Sequence, residues 1–435
     1  MKKSPRVRKG EASAILRRGL LALASSVALA IGGCGGGGGS DAAADPPAPT
    51  QSVAPLPVPG PLKVACSNVA QDFSRVVPGD DIQDYWEGVP SAAGTARYAT
   101  ELLADPANTL TVQLVAPTDT RLYGSFAGQQ VTFVTVACYP TPEGNPRPDY
   151  ALPTGKTVPH MQTGSAPPLF ADESVRYPVL VFSHGYSGSP LSNDYVPVIS
   201  ALASHGYVVV APFHGDPRFS NLRVDEFGDA VRVLARLENF TALQALRPLA
   251  LSAALDLVLA HPQWRDHLDT ARIGGFGASM GGESMLLLGG AGLTTSLGLS
   301  WTQVTNDPRI RAAVGYVPYF GQPFLPAFGR DGHGLDNVTL PYLAIVGTAD
   351  TSAPIYMTEQ GLRRLAGTRE LVALGGVRHG FDVPSTGDIF TWTLTFLDAH
   401  VRGNAASRRQ LATMASVDGG GDDFVILRYN GPPAP

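Results

Sequence analysis

Cysteine is scarce in this chain, with three residues in 435. That excludes a disulfide-dense scaffold, and the absence of any C-x-x-C or H-E-x-x-H spacing leaves metal chemistry without its usual ligand sets. His214 and Asp216 stand close together, but one such pair is too little for a metal site. No metal or cofactor is therefore expected. No Walker A motif and no G-x-G-x-x-G dinucleotide fingerprint provide a phosphate cradle. Charge is sparse as well, at 16% of residues, with a net charge of −5 and a pI near 6.0. The basic residues crowd the first positions, so the remainder is more acidic still, which argues against nucleic acid as a partner. No internal repeat is evident. The apolar stretch near the start, Leu20 to Ile31, covers about a dozen residues, short of the ~20 that a membrane-spanning helix needs.

Glycine, by contrast, is abundant at 49 residues, so a lone G-x-S-x-G match carries little weight. The match at Gly277-Ala278-Ser279-Met280-Gly281 has context. A short apolar strand precedes it (Arg272 to Phe276) and an apolar helical run follows (Ser284 to Leu288). A serine hydroxyl becomes a nucleophile when a sharp strand-to-helix turn exposes it to a base and to backbone N–H groups, and the flanking glycines let that turn close. Upstream, Tyr177 to Ser183 is a continuous apolar run, as in a strand buried on both faces. It leads into His184-Gly185-Tyr186-Ser187-Gly188, where the N–H of Tyr186 would pair with that of Met280 to receive an oxyanion. Downstream, the apolar strand from Leu340 ends in Asp350, placed to orient a histidine or, alternatively, to cap the next helix. A last strand, Arg369 to Leu374, precedes His379, and a C-terminal helix (Phe390 to Val401) follows it. That is where a general base arrives. His205, His261 and His400 sit near helix ends and suit capping or solvated roles. His184 suits shaping its loop.

The order Ser279, Asp350, His379 is that of the α/β-hydrolases. From about Arg147 to Arg402 the chain resembles bacterial α/β-hydrolases of the dienelactone hydrolase, platelet-activating-factor acetylhydrolase and cutinase-like group. Ser183 to Gly188, Ala203-Ser204-His205-Gly206-Tyr207-Val208-Val209 and Gly277 to Gly282 carry the likeness. The resemblance implies a mostly parallel central sheet with helices on both faces, plus an N-terminal extension and insertions. Tyr186 with Met280, and Pro318-Tyr319 after the next strand, resemble the oxyanion pair and the aromatic wall of bacterial cutinases and polyester hydrolases. That likeness implies a substrate clamp from Tyr186, Tyr319 and Phe320. Two positions depart from the pattern: Ala278 replaces a larger residue, and Tyr319 stands where those enzymes carry tryptophan. The acetylhydrolases place their acid after the strand Ala312 to Pro318, which here holds no carboxylate, so Asp350 is favoured. The implied activity is hydrolysis of carboxylic esters by a Ser279–His379–Asp350 triad. An amidase or peptidase on the same fold, and a non-catalytic surface binding module, are the alternatives.

The N-terminus reads as a secretion signal over residues 1–33, ending in Ile31-Gly32-Gly33-Cys34, which resembles a bacterial lipoprotein box with Cys34 as the lipidated residue. Gly35 then suggests an outer-membrane destination, so the expected location is the cell envelope, with membrane contact through the lipid. Residues 34–62, rich in Gly, Ala and Pro, are expected to form a disordered tether. An N-terminal extension (63–109), a catalytic domain (110–406) and a C-terminal extension (407–435) follow. In an exported protein Cys66 and Cys138 read as one disulfide, the alternative being two buried thiols. Thr111 to Val115 and Val131 to Val136 alternate like the first two strands. The stretches Arg218 to Leu246 and Gln322 to Asn337 exceed the minimal fold and are candidate lids.

Overall fold

A computed structural model of the chain describes residues 50–192, 194–222, 230–295 and 300–430. The proposed signal, Cys34 and most of the proposed tether lie outside these residues. Ten strands build the main sheet: β1 (Lys63–Cys66), β2 (Thr111–Val115), β3 (Gln130–Thr141), β4 (Tyr177–Ser183), β5 (Val208–Pro212), β6 (Leu268–Ala278), β7 (Ile310–Tyr316), β8 (Tyr342–Gly347), β9 (Arg369–Leu374) and β10 (Asp423–Tyr429). Their order is β10-β9-β8-β7-β6-β4-β5-β3-β1, with β2 also paired to β3. The six strands from β9 to β5 are parallel, while β10, β3, β1 and β2 join antiparallel. The sheet is thus mixed rather than mostly parallel. Only the inner strands are joined by helical crossovers, whereas both edges are extended by segments from the chain's two ends.

The inner strands are apolar on both faces because both faces are covered. Val179 and Val181 of β4 point into one core, and Leu180 and Phe182 into the other. Fully burying such a side chain is worth about 1.5–3 kcal/mol. The helices α1 (Tyr195–Ser204) and α5 (Thr386–His400) close one face. The opposite face is closed by α2 (Leu237–Ala260), α3 (Met280–Leu288) and α4 (Ile355–Leu362). Helix α2 has 24 residues and a mean hydropathy of 1.4, long and apolar enough to cross a membrane, but 67% of that apolar window is buried against the sheet and its neighbours. It takes in the last ten residues of the candidate lid Arg218 to Leu246, and there Phe240, Leu243 and Leu246 are fully buried in the core.

Cys66 and Cys138 are disulfide-bonded, directly opposite each other on β1 and β3. Residues 51–62, expected as part of a disordered tether over 34–62, are instead held against the folded chain. Gln51–Val53 pairs in parallel with Met414–Val417, the Gly60 N–H donates to Ser204 Oγ at 2.7 Å, and Leu62 N–H donates to the Ser204 carbonyl at 3.0 Å. A segment rich in Pro and Gly can be ordered when its few donors find partners on an already folded surface.

Candidate active site

Chain order along the sheet reverses at β4, with β5 on one side and β6 on the other. Loops leaving the carboxyl ends of adjacent strands at such a switch point diverge and leave a crevice. Here those loops are His184 to Gly188 after β4 and the turn at Ser279 after β6. Ser279 holds φ 53° and ψ −120° immediately before α3 begins at Met280. That left-handed conformation costs a non-glycine residue on the order of 1–3 kcal/mol. The turn tolerates no side chain on its flanks. A Cβ on Gly277 would lie 2.1 Å from the Gly281 carbonyl oxygen, and one on Gly281 would lie 1.9 Å from that of Ser183. Three backbone bonds of 2.9 Å hold the strained residue, from Ser279 N–H to the Tyr316 carbonyl and from the Gly282 and Tyr319 N–H groups to the Ser279 carbonyl.

His379 Nε2 stands 2.9 Å from Ser279 Oγ, and its Nδ1 stands 2.7 Å from Asp350 Oδ2. The other carboxylate oxygen, Oδ1, accepts the N–H groups of Ser352 and Ala353 at 2.8 and 2.9 Å. Asp350 therefore closes the turn after β8 with one oxygen and faces the imidazole with the other; it does not cap the next helix, whose N-cap is Pro354. Its side chain is fully buried, while that of His379 is 28% exposed. A base reachable from solvent and oriented by a dry carboxylate is suited to moving a proton between Ser279 and an incoming molecule. The loop carrying His379 is anchored by Tyr316, whose hydroxyl donates to the Gly380 carbonyl at 2.5 Å and whose ring stacks on Phe381 at 4.5 Å.

Met280 is the first residue of α3, where N–H groups have no acceptor within the helix. The loop after β4 packs against the turn, since a Cβ on Gly185 would meet that of Ser279 at 3.3 Å. Tyr195, from α1, accepts the Gly185 N–H with its hydroxyl at 2.9 Å. Tyr186 is half-buried, and its own hydroxyl donates to the Leu222 carbonyl at 2.8 Å and sits 2.9 Å from Ser220 Oγ. Beneath the loop lies a polar cluster. Arg247 pairs with Asp216 at 2.9 Å, both essentially inaccessible to water, and Ser187 Oγ donates to Glu87 at 2.9 Å. His184 and His214 are fully buried within it, and burial, with the Arg247 charge second, holds both imidazoles well below their ordinary range. They are neutral.

The aromatic clamp requires correction. Tyr319 and Phe320 are 3% and 5% exposed and pack into the core with Leu325, Phe328 and Leu335. The stretch after Tyr319 folds back as the short strands Gly321–Gln322 and Leu325–Pro326, which roof these rings. Stacking needs an open ring face, so the rings serve the core. A cavity of about 760 Å³ lies between this stretch and α4, lined by Phe320, Phe324, Tyr356 and Arg330 among others; Tyr319, Ser279, Asp350 and His379 do not line it. No group of metal-ligating side chains occurs among the described residues. Sequence reasoning missed Tyr195, Tyr316 and Arg247. For Arg247 a signal existed, the single cation inside the largely apolar helical run from Leu243 to Leu259.

Glu283, on the first turn of α3, is another buried group. Gln244 donates to its Oε1 at 2.5 Å and its Oε2 has no partner among the described residues. Burial, partly offset by Gln244, pushes its carboxyl from 4.5 up to about 8. The folded state then holds a proton that the unfolded state releases, so this contribution to stability is full below 4.5 and is lost as pH rises through about 8. Glu283→Gln keeps the shape without the titration. Its melting temperature should gain on the native protein as buffers pass from acidic to alkaline. A constant difference across thermal melts would show that the carboxyl titrates normally.

A family model described as Chlorophyllase matches residues 162–256, from ahead of β4 through the His184–Gly188 loop, α1 and β5 into α2. The match, to a family of ester hydrolases of α/β-hydrolase type, points to a hydrolase. Ser279, Asp350 and His379 lie beyond the matched span. No curated protein matches the chain.

Proposed function

We propose that the chain is a serine hydrolase of carboxylic esters. His379 Nε2 takes the proton of Ser279 Oγ as that oxygen attacks the ester carbonyl carbon. Negative charge collects on the carbonyl oxygen, where the N–H groups of Tyr186 and Met280 receive it, each donor worth on the order of 3 kcal/mol. The protonated imidazole, steadied by Asp350, gives its proton to the departing alcohol. Water then repeats the cycle on the acyl-enzyme and frees Ser279. The observation that carries this reading is the unbroken Ser279–His379–Asp350 relay of 2.9 and 2.7 Å on loops at one edge of the sheet. Labelling with a fluorophosphonate, followed by a panel of p-nitrophenyl esters, matched anilides and an insoluble polyester, tests it. Label at Ser279 with esters cleaved fastest is expected, and faster cleavage of the anilides would establish an amidase instead. The narrower cutinase-like form, resting on the resemblance at Tyr186 and Met280, requires release of soluble acid from the polyester.

The proposal includes a lipid anchor on Cys34 after removal of residues 1–33, holding the enzyme at the cell envelope through a tether of residues 34–49. Growth with a fatty-acid probe should label the native protein, whereas Cys34→Ser should be unlabelled and soluble. An unlabelled native protein would remove the anchor and leave the catalytic reading intact.

A further inference from the structure

Arg247 reaches the proposed oxyanion site through one peptide unit. Its Nη2 donates to the Gly185 carbonyl at 3.2 Å and to the His184 carbonyl at 2.7 Å. The Gly185 carbonyl takes a second bond beside the first, Arg247 Nη2 lying 3.3 Å from His184 Nδ1. His184 Nε2 accepts the His214 N–H at 3.1 Å, so the proton of this neutral ring lies on Nδ1, which donates to the Gly185 oxygen at 2.8 Å. A peptide is planar and here trans, so its C=O and N–H point in opposite directions. Drawing the Gly185 oxygen toward the buried guanidinium therefore aims the N–H of Tyr186, the other half of the same unit, away from it.

The guanidinium is itself held. Asp216 accepts from Arg247 Nε through Oδ1 at 2.9 Å and from Nη2 through Oδ2 at 3.2 Å. Oδ2 of the same carboxylate takes the Ser187 N–H at 3.1 Å. One buried ion pair thus fixes the peptides on both sides of Tyr186. Being salt-bridged and dry, it needs no reorganisation as charge develops nearby, and a carbonyl that accepts from a cation makes its own N–H a better donor.

We infer that Arg247, tethered by Asp216, is the positioning residue of the oxyanion hole, setting the direction and donor strength of the Tyr186 N–H. The inference rests on the ester-hydrolase reading above. Loss of such a donor appears in the transition state and not in substrate binding, so kcat should fall while KM holds.

The experiment compares native protein with Arg247→Lys and Arg247→Met, each checked for folding by near-ultraviolet circular dichroism. Turnover of a p-nitrophenyl ester is measured beside inhibition by a trifluoromethyl ketone, which presents an oxyanion once Ser279 adds to it. Arg247→Met should lose on the order of 10²-fold in kcat, the scale of one oxyanion donor. Inhibitor affinity should fall in parallel and KM should stay unchanged. Arg247→Lys, restoring a cation without the fork, should recover part of both. If Arg247→Met does not fold, Asp216→Asn, which loosens the guanidinium and keeps an acceptor for Ser187 N–H, should show the same pattern at smaller amplitude. Folded variants with native kcat and native inhibitor affinity overturn the inference, as does a loss confined to KM. Native protein that neither turns over ester nor binds the ketone condemns the ester-hydrolase reading instead.

Discussion

Ser279→Ala is expected to lose ester hydrolysis by about 10⁶-fold in kcat while keeping the fold. The size follows from the relay, because without Oγ the imidazole and Asp350 have no nucleophile to activate and catalysis falls to what binding and the oxyanion donors give alone. The fold should survive since the turn is held by backbone bonds to Tyr316 and Tyr319 and by glycine packing at 277 and 281, none of which uses the serine side chain. Purified variant and native protein, compared in steady-state assays with a thermal melt of each, decide the matter. A folded variant retaining about a tenth of native turnover would sink the nucleophile assignment.

Asp350→Asn is expected to lower kcat by about 10⁴-fold. The two oxygens of Asp350 have different duties, and this makes the outcome directional. Oδ1 holds the N–H groups of Ser352 and Ala353, so the single oxygen of an asparagine would go there and its NH₂ would face His379. A donor against Nδ1 forces the imidazole proton onto Nε2, toward Ser279, where the base must be bare. Two nearby carboxylates serve as controls. Asp382 accepts from Ser385 through its backbone N–H and hydroxyl, and Asp388 accepts the Gly421 N–H, so neither is bonded to the ring. Asp382→Asn and Asp388→Asn should stay within about tenfold of native kcat. Greater sensitivity at Asp382 than at Asp350 would mean that the orienting acid had been misplaced.

Much of the site is legible in the sequence because its pieces are local. Buried parallel strands write themselves as apolar runs, and each run here ends on the residue that the site uses: the loop after Ser183, the turn at Ser279, Asp350 after β8 and His379 after β9. Chain order does the rest, since a parallel sheet sends every strand's carboxyl end to one edge.

What tertiary structure alone decided are relations between residues far apart in the chain. Nothing near Gln51 announces a strand partner at Met414, and nothing near Asp423 announces an antiparallel place beside β9, because pairing is satisfied by whichever edge the fold leaves open. The aromatic residues after Pro318 resemble a binding wall, yet Tyr319 and Phe320 are buried once the following turn folds over them. Exposure depends on what covers a ring, and a sequence pattern does not carry that. Arg247 is the sharpest case. Periodicity marks it as a charge misplaced in an apolar helix, and only the packing of α2 under the β4 loop supplies the Asp216 carboxylate and the two carbonyls that make its burial tolerable.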